Sequence, residues 1–459
     1  MSIFTTIDRY LQQSQPTHLS QLKELLRIPS VSADPNASEA MRKSALWIVD
    51  TLSKAGFSTE LIETDGPPLI YAESKPVPGK PVALVYGHYD VQPPDPLDKW
   101  ITPPFEPTER DGNLVARGST DDKGQVLTHV LGAAAWAANG AELPMQVKFL
   151  IEGEEEVGSE QLAKWLPKIT DKLACDVIVI SDSSQYKQGR PAITYGLRGI
   201  AYFQVKLDGP KQDLHSGSFG GAVNNPAIAL CKLLSSVIDS NGRIQLPGFY
   251  DCVKPLQESE REMWRKLGFS DQEFADQLGV SGLIGETGYT TLERRWARPT
   301  FDIHGLTSGY QGEGGKTIIP SWSKAKISFR LVPDQTPAQV TEQLKAFLAA
   351  NQPIGCRVEL IELHGGPGVV VDPNSPYMAA ASKAIEESFE NPPVLIREGG
   401  SIPIVAEMVG ATGADVLLLG WGLEDDGAHS PNEKFCIADF YRGIRASSHL
   451  WQHLADVAE

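Results

Sequence analysis

Histidine and carboxylate side chains recur in this chain at the ends of apolar runs or at the starts of turns. Two such segments are 87–90 (GHYD) and 117–124 (RGSTDDKG), and three more follow at 152–156 (EGEEE), 181–182 (SD) and 427–430 (GAHS). Imidazole and carboxylate groups are ligands that zinc, manganese and cobalt accept in proteins. If the five segments converge in the fold, they predict two bound metal ions and hydrolytic chemistry.

Several of these side chains suit particular roles in such a site. His88 can bind a metal through one ring nitrogen, and Asp90, two residues on, can hold the ring from the other side. Asp121 opens a glycine-flanked turn before a helix, so its carboxylate is free to point outward. Glu155 and Glu156 are adjacent, and on an extended backbone they would point to opposite sides. One can then bind a metal while the other serves as a base for a metal-bound water.

Each segment also has an ordinary structural interpretation. A histidine after a strand can be structural, and the glutamates of 152–156 could form a solvated loop. Residues 121–124 could cap a helix N-terminus, and Asp182 could start an Asx turn. The occurrence of all five segments in one chain favours a shared site over five unrelated structural features.

The composition limits the class of protein. A chain of 459 residues is too long for one simple core, so we expect two domains. Its 41% hydrophobic and 22% charged residues are typical of a globular protein. The net charge of −17 argues against a nucleic-acid-binding protein, which should be basic. No run of 18 apolar residues occurs, so we predict no membrane span and no membrane partner.

The cysteines and the N-terminal residues favour a cytoplasmic location. Five cysteines, an odd number without a CxxC motif, fit a reducing compartment rather than a disulfide framework. Zinc binding by cysteine is therefore not expected, and histidine and carboxylates must supply the ligands. Residues 1–15 lack the apolar core of a secretory signal.

Helix-like and strand-like patterns alternate through the first 196 residues, which predicts an α/β domain with a mostly parallel sheet. Ligand sites of such sheets lie at the carboxyl ends of the strands. His88, the pair Glu155 and Glu156, and Asp182 each follow a predicted strand. The predicted helices are 3–13, 18–26, 38–55 and 123–138, and the predicted strands are 69–73, 82–86, 147–151 and 177–180.

Residues 197–374 have a different pattern and predict an α+β insert. Four segments alternate apolar and polar residues, as half-exposed strands do, at 200–207, 301–304, 325–332 and 357–363. Helices are predicted at 225–237 and 337–349, and 256–297 is a helical excursion without an assigned role. The α/β pattern resumes with helix 377–389, strand 416–419 and helix 438–454. The first domain is therefore predicted to be discontinuous, over residues 1–196 and 375–459.

Eight motifs distributed in order over almost the whole chain resemble the M20 family of metallopeptidases, and especially its carnosinase-like dipeptidase branch. The motifs are GHYDVQPP, ARGSTDDKG, EGEEEVGS, SDSS, TYGLRG, DLHSGSFGGAVNNP, REGGSIP and DDGAHSPNE. The resemblance implies a zinc-peptidase-like catalytic α/β domain that is interrupted by a smaller α+β lid or dimerisation domain. It also implies a homodimer formed through that lid.

The resemblance implies two divalent metal ions per subunit, with zinc favoured and manganese or cobalt as alternatives. Asp121 would bridge the two ions. His88 and Asp182 would complete one site, and Glu156 and His429 would complete the other.

The resemblance also assigns roles next to the metal ligands. Glu155 would be the general base that activates a water bridging the two ions, and Asp90 would orient His88. The peptide bond between Asp121 and Asp122 would be cis, as the family shows at this turn.

The lid is expected to supply further groups. His215 would enter the active site of the partner subunit and stabilise the oxyanion of the tetrahedral intermediate. Arg330 could hold the terminal carboxylate of a peptide with two hydrogen bonds. The positions that resemble substrate-holding residues are His215, Thr317, Arg330, His364 and Ser401.

The expected function is hydrolysis of the peptide bond of dipeptides or short peptides. An aspartate at position 182 resembles the dipeptidase and aminopeptidase branches, whereas the acylase and desuccinylase branches tend to use glutamate. The enzymatic alternative is an N-acyl amino acid amidohydrolase with the same two metal ions. A catalytically inactive binding protein is a further alternative, but it commonly loses ligands that are all present here. The other histidines, predicted to be structural or solvent-facing, are His18, His129, His304, His449 and His453.

Overall fold

A computed structural model describes residues 3–400 and 402–458 of the chain. Within these ranges the chain forms thirteen α-helices and eighteen β-strands. The helices are α1 (Ile3–Leu26), α2 (Ser38–Lys54), α3 (Lys123–Ala138), α4 (Glu160–Leu173), α5 (Ser216–Phe219), α6 (Pro226–Ser235), α7 (Glu258–Arg265), α8 (Asp271–Leu278), α9 (Thr291–Ala297), α10 (Pro337–Ala350), α11 (Pro376–Phe389), α12 (Pro403–Thr412) and α13 (Ile437–Ala455).

The strands follow the same chain order. They are β1 (Ser58–Ile62), β2 (Leu69–Glu73), β3 (Val82–His88), β4 (Thr108–Arg110), β5 (Asn113–Val115), β6 (Gln146–Glu152), β7 (Val177–Ile180), β8 (Ala192–Leu197), β9 (Gly199–Asp208), β10 (Leu214–His215), β11 (Thr300–Ser308), β12 (Ile318–Ile319), β13 (Trp322–Leu331), β14 (Arg357–Gly366), β15 (Val369–Val370), β16 (Val394–Glu398), β17 (Asp415–Gly420) and β18 (Lys434–Cys436).

The chain divides into two compact units. The first unit comprises Met1–Tyr195, Val371–Ile396 and Glu407–Glu459, and the second comprises Gly196–Val370 and Arg397–Ala406. The first unit is discontinuous, as a domain with an inserted middle must be. Residues 397–406 belong to the second unit, a grouping that the sequence pattern did not indicate.

The sheet of the first unit has a parallel centre and antiparallel flanks. Its strands lie in the order β1-β2-β6-β3-β7-β17-β8, and the four strands from β6 to β17 are parallel. The pairings β1–β2, β2–β6 and β17–β8 are antiparallel. Because the carboxyl ends of parallel strands meet at one edge, the residues that follow β3, β6, β7 and β17 are brought together.

Burial explains why the central strands read as apolar runs. Every residue of β7 is buried, and six of the seven residues of β3 are buried. Helices α1 and α13 both pack against α3, and α11 packs against α13. Strands covered in this way select apolar side chains at successive positions.

One sequence expectation about the helices was wrong. The two predicted stretches, 3–13 and 18–26, form the single helix α1, which continues through Pro16. Proline removes one helical hydrogen bond. However, Ile7, Leu11 and Leu22 are all buried on one face of α1, and their packing holds both halves in register.

The second unit contains a four-stranded antiparallel sheet in the order β11-β13-β9-β14. Strand β9 alternates buried and half-buried residues along its whole length, as its sequence pattern predicted. Helices α6 and α10 pack against the sheet and enclose an apolar core. The helical excursion predicted at 256–297 consists of α7, α8 and α9. None of the helices among the described residues combines the length and apolar character needed to cross a membrane.

Candidate active site

The carboxylate of Asp121 lies between two histidines in the first unit. His88 is the last residue of β3 and is fully buried, and its Nε2 atom lies 3.2 Å from Asp121 Oδ1. On the other side, Nε2 of His429 lies 2.9 Å from Asp121 Oδ2. Asp121 therefore turns one oxygen toward each histidine, which is the arrangement that a bridging carboxylate requires.

His429 and Glu156 form the outer side of the site. His429 lies in the loop between β17 and β18, and its side chain is 56% exposed. Its Nε2 atom lies 3.2 Å from Glu156 Oε2, which also accepts a hydrogen bond of 2.8 Å from Gln92 Nε2. The exposed fraction of His429 shows that this side of the site is open to solvent.

The five predicted metal ligands fall into two groups that share Asp121. One potential ligand atom from each of His88, Asp121 and Asp182 lies within 4.8 Å of the others, and the same holds for Asp121, Glu156 and His429. His88 Nδ1 faces the Asp90 carboxylate, which leaves Nε2, 3.2 Å from Asp121 Oδ1, as the ring atom that can bind a cation. The donors are imidazole nitrogens and carboxylate oxygens, which suit divalent zinc, manganese or cobalt.

The site favours positive charge at its centre. The Asp121 and Glu156 carboxylates raise the pKa of His429 to about 10. Burial opposes ionisation of Asp121, yet hydrogen bonds from His429 and His88 hold the pKa of this carboxyl below its usual value. Carboxylates that stabilise a protonated imidazole in this way also stabilise a metal cation at the same place.

The backbone that carries Glu155 and Glu156 differs from the expectation. We expected an extended segment, but Glu155–Val157 form one turn of 3₁₀ helix after β6. Successive side chains on such a turn diverge by about 120° rather than pointing to opposite sides. Burial raises the pKa of the Glu155 carboxyl well above its usual value, and the nearby carboxylates of Asp182 and Glu156 act in the same direction.

Asp90 joins the histidine side of the site to this turn. Its Oδ1 atom lies 3.3 Å from His88 Nδ1. The same carboxylate accepts hydrogen bonds from the backbone N–H of Glu155 at 3.3 Å and of Glu156 at 3.1 Å. Asp90 is fully buried, so it positions both His88 and the two glutamates. The contacts with the turn were not foreseen from the sequence.

Glu433 is a buried carboxylate that sequence reasoning missed. Its Oε1 atom accepts hydrogen bonds from the N–H groups of Thr120 at 3.0 Å and Asp121 at 3.2 Å. Its Oε2 atom accepts from Gly118 N at 3.0 Å and from the Arg117 guanidinium at 2.7 Å. Burial raises the pKa of Glu433 to about 7, despite the positive charge of Arg117. Glu433 thereby fixes the turn that presents Asp121.

Other contacts hold the neighbouring segments. The Asp121–Asp122 peptide bond is cis, as the family resemblance implied. Asp122 Oδ2 accepts a hydrogen bond of 3.2 Å from the backbone N–H of His88. His129, predicted to be structural or solvent-facing, is buried and lies 2.7 Å from the hydroxyl of Ser181, next to Asp182. No sequence spacing marked His129, because it lies on helix α3 whereas its partner, Ser181, follows strand β7.

Two of the predicted substrate residues in the second unit lie at the ribbon formed by β10 and β12. His215 ends β10 and is exposed, and its Nδ1 atom accepts a hydrogen bond of 3.0 Å from Gly217 N. The backbone carbonyl of Thr317 accepts a hydrogen bond of 3.1 Å from Ser216 N. The structure thus brings His215 and Thr317 close to each other.

Arg330 and His364 form a second group, on the four-stranded sheet. Arg330 lies on β13 opposite Ile200, and His364 lies on β14 opposite Tyr202, whose ring centroid is 4.9 Å from that of His364. Burial and the positive charge of Arg330 both lower the pKa of His364. The fifth predicted position, Ser401, lies outside the described residues.

Comparisons with known proteins agree with this geometry. Residues 84–453 match the model of peptidase family M20/M25/M40. The chain is 35% identical to the Cys-Gly metallodipeptidase DUG1 of Saccharomyces cerevisiae, over 99% of both chains. It is 34% identical to the Beta-Ala-His dipeptidase of Mus musculus, over 95% of this chain and 92% of the relative.

A solved structure is similar to the whole chain. Human carnosine dipeptidase 1 superposes with a TM-score of 0.87 at 32% identity and covers 99% of each chain. The predicted α/β fold class and the predicted family resemblance are therefore confirmed. This family implies divalent metal ions, and the histidine and carboxylate groups around Asp121 fit that requirement. The chain belongs to peptidase family M20/M25/M40 and is a metal-dependent hydrolase of peptide bonds.

Proposed function

We propose that this protein is a dipeptidase whose active site holds two divalent metal ions, with Zn²⁺ favoured and Mn²⁺ or Co²⁺ as alternatives. The observation that carries the proposal is the position of Asp121, which turns one oxygen toward His88 and the other toward His429. Asp182 would complete the ligands beside His88, and Glu156 would complete those beside His429.

The reaction would depend on Glu155 as the general base. When bound, the metal ions would hold a water between them and lower its pKa toward about 7. Glu155 would take the proton of that water as it attacks the scissile carbonyl, and would then return the proton to the leaving amine. Because Glu155 is buried, its carboxyl can retain a proton long enough to deliver it.

Asp90 would keep this arrangement in register. It contacts His88 with one oxygen and the N–H groups of Glu155 and Glu156 with the same carboxylate. A shift of the 3₁₀ turn would therefore move both Glu155, the proposed base, and Glu156, a proposed ligand, relative to the ring of His88. We propose that Asp90 orients His88 and holds the base at a fixed distance from the reacting water.

The second unit would supply the groups that select the substrate. Arg330 would bind the terminal carboxylate of a peptide, with His364, Thr317 and Ser401 as further contacts. His215 is exposed and its Nδ1 atom accepts a hydrogen bond from Gly217, so its Nε2 atom carries the proton that an oxyanion needs. We propose that this group acts in the active site of a partner subunit, in a homodimer formed through the second unit.

Relatives named for Cys-Gly and Beta-Ala-His dipeptides favour a short peptide with a free terminal carboxylate as the substrate. The five free cysteines fit a reducing compartment, and we propose the cytoplasm as the place of action.

A substrate panel on metal-stripped protein tests the proposal. Zn²⁺, Mn²⁺ and Co²⁺ are restored one at a time, and hydrolysis of Cys-Gly and β-Ala-His is measured beside that of N-acetyl and N-succinyl amino acids. A dipeptidase hydrolyses the free dipeptides at least about tenfold better, measured by kcat/KM, because only they carry a free amino terminus beside the scissile bond. Preference for the acylated amino acids would instead identify an amidohydrolase with the same metal site.

A further inference from the structure

A second group of histidine and carboxylate side chains lies among the helices of the first unit and shares no residue with the active site. His449 and His453 are four residues apart on α13, so both project from one face of the helix. Glu387, on the neighbouring helix α11, reaches both of them. Its Oε2 atom lies 2.8 Å from His449 Nδ1 and 3.0 Å from His453 Nε2.

These three side chains have the donor geometry of a metal site. One nitrogen or oxygen from each of the three lies within 4.8 Å of the other two. Donor atoms around a tetrahedral zinc are separated by about 3.3 Å, given metal–ligand bonds of about 2.0–2.1 Å. The two separations from Glu387 Oε2, 2.8 and 3.0 Å, need to widen by only a few tenths of an ångström for a cation to enter.

A second layer of contacts fixes the ring of His449. Its Nε2 atom lies 2.9 Å from Asp8 Oδ1, on α1. The guanidinium of Arg445 holds Asp8 through two contacts of 3.0 Å and also donates to the backbone carbonyl of Glu387. If Nε2 of His449 donates to Asp8, its Nδ1 atom carries a lone pair and faces Glu387. A carboxylate behind a ligating imidazole is the usual arrangement around protein-bound zinc.

The charges of the group also favour a cation. The carboxylates of Asp8 and Glu387 contact the two imidazoles, and the guanidinium of Arg445 contacts Asp8. With neutral imidazoles, the two carboxylates outweigh the single positive charge of Arg445, so the five side chains together carry a net charge of −1.

The surroundings favour a structural ion over a catalytic one. His449 and His453 are only 2% and 6% exposed. The ring of Phe4 stacks on His449, with centroids 4.2 Å apart and an interplanar angle of 16°. The group joins the N-terminal helix α1, helix α11 and the C-terminal helix α13, so a bound ion would tie the two ends of the described chain together.

We propose that His449 Nδ1, His453 Nε2 and Glu387 form a separate structural binding site for one Zn²⁺ ion, with Asp8 as the carboxylate that orients His449. Histidine nitrogens with one carboxylate suit zinc, and Co²⁺ can replace it as a spectroscopic probe. The ion would stabilise the packing of α1 and α11 against α13 and would take no part in hydrolysis.

The number of zinc ions bound per chain tests this site. The full chain carrying His88→Gln and Asp121→Asn, which disable the active-site ligands, should bind one Zn²⁺ in equilibrium dialysis followed by elemental analysis. Adding His449→Gln and His453→Gln should abolish that ion. Adding His18→Gln instead, which removes another buried histidine, should leave it in place.

Co²⁺ absorption and thermal unfolding test the same site if the double histidine variant does not fold. In the same background, Co²⁺ should give the visible absorption of a four-coordinate site, and the single change Glu387→Gln should remove it. Zn²⁺ should also raise the melting temperature by a few degrees only when the helix ligands are intact. Absence of the ion in the background chain, or its retention after His449 and His453 are replaced, would overturn the proposal.

Discussion

The active site and the helix group of Glu387, His449 and His453 use the same kinds of side chain on different supports. In the active site, four of the five ligand candidates lie at or after the ends of β3, β6, β7 and β17, Asp121 lies in the turn before α3, and His429 on the outer side is 56% exposed. In the helix group, two histidines come from one helix and are almost fully buried. The first group is therefore open to solvent on one side, whereas the histidines of the second are enclosed between helices.

The two regions also differ in the carboxylates that support their candidate ligands. Asp90 and Glu433 are fully buried carboxylates that hold the backbone turns bearing Glu155 and Asp121. In the helix group, Asp8 is half-buried and holds a ring rather than a turn. In the proposed mechanism, such fixed turns would position Glu155 beside the metal ions, which catalysis needs beyond metal binding.

The largest effect should follow from Asp121→Asn. The amide keeps the shape of the side chain but replaces one oxygen by an NH₂ group, which repels a cation. We expect kcat/KM for a dipeptide to fall by at least about 10³-fold and the active-site metal content to drop. The helix group should keep its ion. Elemental analysis and a dipeptide assay check this, with Asp50→Asn on the exposed face of α2 as the control.

Glu433→Gln should be the next largest change, because it leaves the buried Arg117 guanidinium without its counter-charge. Loss of one partner of a buried ion pair costs about 3 kcal/mol of folding free energy. Urea unfolding measures this loss, and metal affinity should weaken as the Asp121 turn loosens. The double variant Arg117→Met with Glu433→Gln should recover part of the stability. Unchanged stability in the single variant would show that Glu433 does not fix the turn that presents Asp121.

Asp90→Asn should weaken the active site without unfolding it. The amide can still accept one hydrogen bond from the Glu155–Glu156 turn, but its NH₂ group opposes either that turn or His88 Nδ1. Changes of this kind typically cost about 10- to 100-fold in metal affinity or activity. Competition with a chelator and steady-state kinetics check the prediction. Wild-type affinity together with wild-type kcat would contradict a positioning role.

A buried histidine outside both groups provides a reference for pH dependence. Burial lowers the pKa of His18 to about 4 from its ordinary 6.5, so the unfolded chain binds this proton more tightly. Its contribution to stability is therefore intact above about pH 6.5 and declines as the pH falls toward 4. In the presence of a chelator, the free energy of unfolding of the wild-type protein should fall by about 2 kcal/mol more than that of His18→Gln between pH 7 and pH 5. Parallel unfolding curves of the two proteins would contradict this.

Much of the fold could be predicted because the relevant signals are local. The apolar runs of β3, β6, β7 and β17 and the alternation in β9 follow directly from which faces the strands bury. Helix α4 was not predicted, although its apolar residues Leu162, Leu166, Ile169 and Leu173 recur at helical spacing. The continuity of α1 through Pro16 depends on packing that no local pattern contains.

The site was predictable to the extent that its ligands follow strands. His88, Glu156 and Asp182 could be placed by the strand-end rule, and the family resemblance assigned ligand roles to Asp121 and His429, whose segments the residue types had already marked. Glu433 could not be placed, because its function depends on burial under a turn more than 300 residues away in sequence. The spacing of His449 and His453 was visible, but Glu387 and Asp8 come from other helices, so the sequence did not indicate a shared group.

If Glu155 is the base beside a pair of metal ions, Glu155→Gln should stop turnover without releasing the metal. Dipeptide turnover and bound metal are measured on the same preparation, with Glu154→Gln on the preceding residue as the matched control. We expect Glu155→Gln to lower kcat by about 10²–10⁴-fold while the metal content stays at the wild-type value. Retained turnover, or loss of turnover together with the metal, would contradict the role of Glu155 as the base.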